Sequence, residues 1–135
     1  MITIKKGKYN VDSQKLSIIA ENLADKLNLS GDITIKIGDK DESEELNSKF
    51  RKKDYPTDVL SFPFNEEMED SYYIGDIFIC YPIAEAQSVE NSISIFRELT
   101  TLTVHGILHL AGYDHETDSG EMLNFQNEFL SGLDI

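Results

Sequence analysis

All three histidines of this 135-residue sequence fall within eleven residues: His105-Gly106-Ile107-Leu108-His109-Leu110-Ala111-Gly112-Tyr113-Asp114-His115. The apolar periodicity around His105 and His109 predicts a helix, and a spacing of four puts both rings on one face, about one turn apart. Two imidazoles so placed can reach a single metal ion. Gly112 stands where that helix would end, and a chain turned back there brings His115 round as a third nitrogen donor. Three protein nitrogens with an open fourth position describe a catalytic zinc site rather than a structural one. A pair of histidines on an apolar helix is, alone, more often a packing or surface feature. The third histidine, and the absence of any other in the chain, favour the metal.

The spacing equals that of H-E-x-x-H-x-x-G-x-x-H, the zincin motif, whose glutamate is the general base of peptide hydrolysis. Here that position is Gly106. A residue with no side chain cannot take a proton, so either the base comes from elsewhere or the chemistry is not peptide hydrolysis.

These residues must be held by a fold. Ile2 to Lys5 alternates and predicts a short strand. Asp12 and Ser13 can cap a helix whose apolar positions are Leu16, Ile19, Ala20, Leu23 and Leu27. Ile33, Ile35 and Ile37 alternate with Thr34 and Lys36, a half-buried strand. Asp41 to Arg51 predicts a short helix with Leu46 and Phe50 on one face. Asp58 to Phe62 and Ile74 to Cys80 are β-rich and separated by an acidic loop, Asn65 to Ser71, marked by Pro63. Ile83 to Val89 begins a helix, Ile93 to Ala111 is a longer apolar one, and Asp118-Ser119-Gly120-Glu121 has the form of a capping box opening a last helix. No repeat or linker divides the chain. The expectation is one α+β domain over residues 1–135, a small mixed four-stranded sheet packed with four or five helices, one of them a zincin-like metal-binding helix.

Composition constrains the partners. Lys and Arg number 12 against 25 Asp and Glu, a formal net charge of −13. Such a balance argues against nucleic acid, since phosphate binding is carried by cations. The distribution qualifies that: residues 1–53 hold 11 basic and 9 acidic side chains, net +2, and residues 54–135 hold one basic and 16 acidic, net −15. Lys49, Arg51, Lys52 and Lys53 make a cationic spot around Phe50. The single Cys80 excludes an intrachain disulfide and a cysteine zinc finger. No apolar run reaches the roughly 18 residues of a membrane span, and the N-terminus lacks a signal-peptide pattern, so a cytoplasmic chain without a membrane partner is expected.

The segment from His105 to His115 resembles the H-G-x-L-H-L-x-G-Y-D-H signature of the YbeY family of metal-dependent endoribonucleases, without a mismatch. Leu46-Asn47-x-x-Phe50-Arg51 together with Pro56-Thr57-Asp58-Val59-Leu60-Ser61-Phe62-Pro63 is similar to a second block of that family, and Gly75-Asp76-Ile77 to a third. The resemblance implies a compact α+β fold, one zinc ion on His105, His109 and His115, and Arg51 beside the metal in RNA binding or catalysis. It also implies maturation of ribosomal RNA, including the small-subunit 3′ end, and ribosome quality control. Three imidazoles also accept other transition metals.

The expected reaction is metal-assisted cleavage of a phosphodiester in single-stranded RNA, with attack by water or by the RNA's 2′-hydroxyl both open. The rivals are a non-catalytic, metal-stabilised ribosome-assembly factor and another zinc hydrolase. Asp58 and Asp76 are candidates for a base, with strand-end hydrogen bonding as the default. Asp114 either orients a histidine or stabilises a turn. Glu98 reads as a solvated helix residue, Cys80 as a buried strand residue, and Tyr113 as packing rather than base stacking. Lys49, Lys52 and Lys53 read as solvated. An acidic surface around one cationic cleft predicts weak, salt-sensitive binding to free RNA, so a ribosome or ribosomal protein is expected to present the substrate.

Overall fold

The computed structural model describes residues 1–114 and 118–135; His115, the expected third ligand, lies outside them. The elements run β1 (Ile2–Lys5), α1 (Ser13–Lys26), β2 (Asp32–Gly38), α2 (Lys40–Arg51), β3 (Val59–Glu67), β4 (Tyr72–Cys80), α3 (Tyr81–Glu90), α4 (Ile95–Leu110) and α5 (Glu121–Ser131). The four strands form one mixed sheet in the order β1-β2-β4-β3. β1 and β4 run parallel to β2, while β3 closes back antiparallel on β4 as an edge strand. The expected α+β domain is the one observed.

Local chemistry accounts for the element starts. Asp12 Oδ1 accepts the Lys15 N–H at 3.0 Å and Ser94 Oγ the Arg97 N–H at 3.0 Å, each satisfying an orphan donor of a helix N-terminus. The strand period of two then sorts the side chains. Ile33, Ile35 and Ile37 of β2, with Ile77 and Ile79 of β4, face a core shared with Leu16 and Leu23 of α1 and Leu99, Ile107 and Leu108 of α4. On the opposite face Leu60, Phe78 and Cys80 form a smaller cluster that meets Leu46 of α2.

Two expectations are corrected. Asn65, Glu66 and Glu67 are strand rather than loop: after a bulge past Pro63, Glu66 pairs with Tyr73 and Glu67 with Tyr72. An edge strand can carry solvated carboxylates while its backbone still pairs, so acidity alone misled. The capping box is also displaced. Gly120 is the N-cap of α5, Asp118 Oδ1 accepts from the Met122 N–H at 3.0 Å, and Glu121 reaches back to the Ser119 N–H at 2.7 Å. The reciprocal bonds exist one residue out of register, because glycine takes the positive φ of +110° that the turn needs.

The contact that matters for position is α4 on β4. A Cβ at Gly106 would lie 2.9 Å from Ile77 Cγ2, closer than Cβ atoms ordinarily approach another carbon. Ser61 Oγ of β3 donates to the Gly106 carbonyl at 3.3 Å and ties the same point of the helix to the edge strand. The position held by glutamate in zincins is here a packing contact. Gly106→Ala is expected to lower unfolding stability by about 1–3 kcal/mol in urea titration, with the helix pushed off the sheet; an unchanged midpoint would show that Ile77 yields freely.

Candidate functional site

The C-terminal end of α4 is built by its stop signal. Gly112 has φ of +103°, and its N–H donates to the His109 carbonyl at 3.0 Å while the Tyr113 N–H donates to the Leu108 carbonyl at 3.1 Å. This paired closure folds the chain back over the last turn. The Tyr113 carbonyl then lies 3.0 Å from His109 Nδ1. A carbonyl only accepts, so His109 carries its proton on Nδ1.

His105 is fixed from the other side. Its Nδ1 lies 3.2 Å from Oε1 of Gln126, a buried residue of α5. With both Nδ1 atoms engaged as donors, the two Nε2 atoms meet at 3.0 Å. Two imidazole lone pairs at that separation suit one positive charge shared between them, a proton or a metal ion. The donor set therefore fits a soft-to-borderline divalent cation. Among the described residues no third His, Cys, Asp or Glu joins them in a metal-sized group.

Both half-buried rings open into a cleft of about 470 Å³ between α4 and β3, lined also by Arg51, Thr57, Asp58, Ser61 and Asp114. Arg51 is the last residue of α2, exposed, and followed by Lys52 in the left-handed conformation at φ +57°. That turn is pinned from the helix. Asn47 Nδ2 donates to the Tyr55 carbonyl at 2.7 Å, and Ser43 Oγ donates to the Thr57 carbonyl at 2.8 Å. Buried Ser43 and Asn47 thus bring the 52–58 segment, and with it Arg51 and Asp58, to the histidines.

Asp58 Oδ1 accepts from the Val59 N–H at 2.7 Å, the expected strand-end bond, but Asp58 also faces the cleft. Its Oδ2 accepts from Gln87 Nε2 at 3.3 Å, and the same amide nitrogen donates to Glu98 Oε1 at 3.1 Å. Glu98 is therefore not a solvated helix residue. It is 6% exposed, and burial raises its pKa, partly offset by the Gln87 bond and reinforced by the Asp58 charge.

Asp76 is separated from the histidines. It takes a hydrogen bond from Tyr73 on the other face of the sheet. Cys80 is fully buried, and burial pushes its thiol up, away from reactivity. Tyr113 packs on Phe125, 6.2 Å between ring centres. Lys49, Lys52 and Lys53 are exposed. Sequence reading missed Gln126 and Gln87. Neither lies in a motif, and each acts across more than ten residues of chain, so no local pattern could single them out.

The whole chain, residues 1–134, matches the family profile described as Endoribonuclease YbeY. A protein of that name from Sulfurihydrogenibium sp. is 40% identical over 98% of this chain and 91% of its own length. Another from Aquifex aeolicus is also 40% identical, over the same shares. The solution structure of a Thermotoga maritima protein, 36% identical, superposes with a TM-score of 0.70 over 97% of this chain and 87% of that one.

Glu98 yields a pH prediction. Its native pKa is raised, so the native state binds the proton more tightly than the unfolded chain. That stabilisation is complete below the ordinary glutamate pKa and is lost as pH rises through the native value. Glu98→Gln keeps an oxygen for Gln87 and removes the titration. Its Tm relative to wild type should rise with pH in calorimetry from roughly pH 4 to pH 8; a difference constant with pH would mean Glu98 ionises at no cost.

Proposed function

Because this chain belongs to the endoribonuclease YbeY family, we propose that it cleaves single-stranded ribosomal RNA in the cleft between α4 and β3. His105, His109 and His115 hold a zinc ion in this reading, and Arg51 grips the scissile phosphate. Family membership makes the chain an RNA-cleaving hydrolase. The resemblance extends the reading to maturation of the small-subunit RNA 3′ end and to ribosome quality control.

One observation carries the site: two Nε2 atoms 3.0 Å apart, each on a ring whose Nδ1 is held from behind, in a cleft that also contains an arginine. Zinc bound there supplies a Lewis acid for a phosphoryl oxygen. Gln126 and the Tyr113 carbonyl hold the imidazoles in the tautomer that presents Nε2 to the cation. The planar guanidinium of Arg51 can take two phosphate oxygens at once and stabilise the charge that grows on them in the transition state. Asp58, clamped by the Val59 N–H and Gln87, presents a fixed carboxylate to whichever hydroxyl attacks. The acidic half of the chain disfavours a second phosphate backbone, which supports a single strand as substrate and a ribosomal partner to deliver it.

Purified protein free of other ribonucleases should cut single-stranded RNA. Arg51→Ala should lower kcat about 10²–10³-fold, and His109→Ala should abolish both cleavage and stoichiometric metal. Wild-type rates in both variants would overturn the nuclease assignment of this cleft. Separately, Gln126→Ala should weaken zinc affinity by about 10–100-fold in competition with a chromogenic chelator; unchanged affinity would remove Gln126 from the site.

A further inference from the structure

A second cavity, of about 600 Å³, lies on the sheet face that α4 does not cover. α2 shields one end of that face through Leu46. Beyond it Phe50, Phe62, Phe64 and Tyr73 line an open groove. The rings meet in pairs, Phe50 with Phe62 at 5.1 Å and Phe64 with Tyr73 at 5.6 Å between centres. Phe50 is 57% exposed and Phe64 47%, so each offers ring surface to a further planar group. Nothing in the His cleft accounts for this arrangement.

The local charge admits a nucleic acid. The groove is lined by Lys5 and Lys36, and Lys49 Nζ stands 5.4 Å from the Phe50 ring centre. Of its two acids, Glu42 pairs with Lys36 at 2.5 Å, and Asp76 accepts from the Tyr73 hydroxyl and keeps its charge. Lys5 and Lys49 have no ion-pair partner among the described residues. In a chain of net charge −13, a groove whose two lysines balance its two carboxylates, with Lys49 beside Phe50, lacks the net negative charge that would repel a phosphate backbone.

The groove also adjoins the cleft across β3. Pro63 of edge strand β3 lines both cavities, and the consecutive residues Phe50 and Arg51 at the end of α2 line one each. Aromatic side chains beside lysines on an open sheet are a platform on which bases stack with little regard to sequence.

We propose that single-stranded RNA leaving the His cleft crosses β3 at Pro63 and stacks its bases on Phe50, Phe62, Phe64 and Tyr73. The inference rests on the cleft being where RNA is cut, and it assigns the flanking nucleotides a separate site. Because stacking supplies much of the contact, this part of the affinity depends little on base identity, while the lysines leave it sensitive to salt.

Fluorescence anisotropy with the full chain and 2′-O-methyl oligonucleotides of about three and about twelve nucleotides tests it. Wild type should bind the longer strand at least about tenfold more tightly, and Phe64→Ala should lose about that factor. Phe64→Trp should retain it, as should Leu123→Ala, an exposed apolar residue on α5. Thermal unfolding of Phe64→Ala near the wild-type Tm excludes misfolding as the cause. A 4-thiouridine near one end of the longer strand should cross-link to the Phe62–Phe64 or Tyr73 peptides. Equal affinity of wild type and Phe64→Ala overturns the proposal, as do cross-links confined to the His cleft. A groove reserved for a protein would give that same unchanged RNA affinity. The readout is binding, so absence of cleavage would count against the cleft reading and leave the groove measured on its own.

Discussion

The close approach of α4 to the sheet is the constraint on which the site depends. Gly106 lets the helix backbone settle on Ile77, and the Ser61 hydroxyl fixes the same turn to β3. With that face committed to packing, His105 and His109 point along the flank, into the gap beside the edge strand. A carboxylate at position 106 would have to be buried against an isoleucine. The substitution that separates this chain from zinc peptidases is therefore also what lets α4 pack on β4.

Each remaining group reaches the cleft through a bond made far away in the chain. α2 holds the 52–58 segment through Ser43 and Asn47, which delivers Arg51 and Asp58. α3 and α4 hold Asp58 from behind through Gln87 and Glu98. α5 supplies Gln126 to His105. Five elements around one cleft means that disturbance of any of them is felt there. The cost is a buried carboxyl, Glu98, whose desolvation is only partly compensated.

The edge strand β3 gives the molecule two working sides. Its residues alternate between the His cleft, through Ser61, and the aromatic groove, through Phe62. Pro63 can stand in it without loss because an edge strand has one unpaired side. The strand carries acidic residues toward its tip and apolar ones near the cleft, so the surface is divided along its length. The net charge of −13 is thus unevenly spread: Lys49, Arg51, Lys52 and Lys53 stand at the end of α2, and Lys5 and Lys36 line the groove.

Periodicity and caps located most of the elements, because these depend on neighbours within a few residues, though the acidic tip of β3 read as loop. Asp12 and Gly112 act where the sequence says they should, and the alternating isoleucines of β2 face the core as expected. The His105–His109 pairing was equally legible, since one helical turn brings positions four apart together. Their neighbours were not. Glu98 looked solvated because a local pattern cannot report what covers a residue, and Asp58 and Asp76 looked equivalent because strand alternation does not say which face holds the histidines. Gln87, Gln126 and the aromatic groove arise where segments remote in sequence meet. The sequence by itself determined which side chains could do chemistry; only tertiary packing decided which of them share a cleft, because that depends on contacts no short-range rule contains.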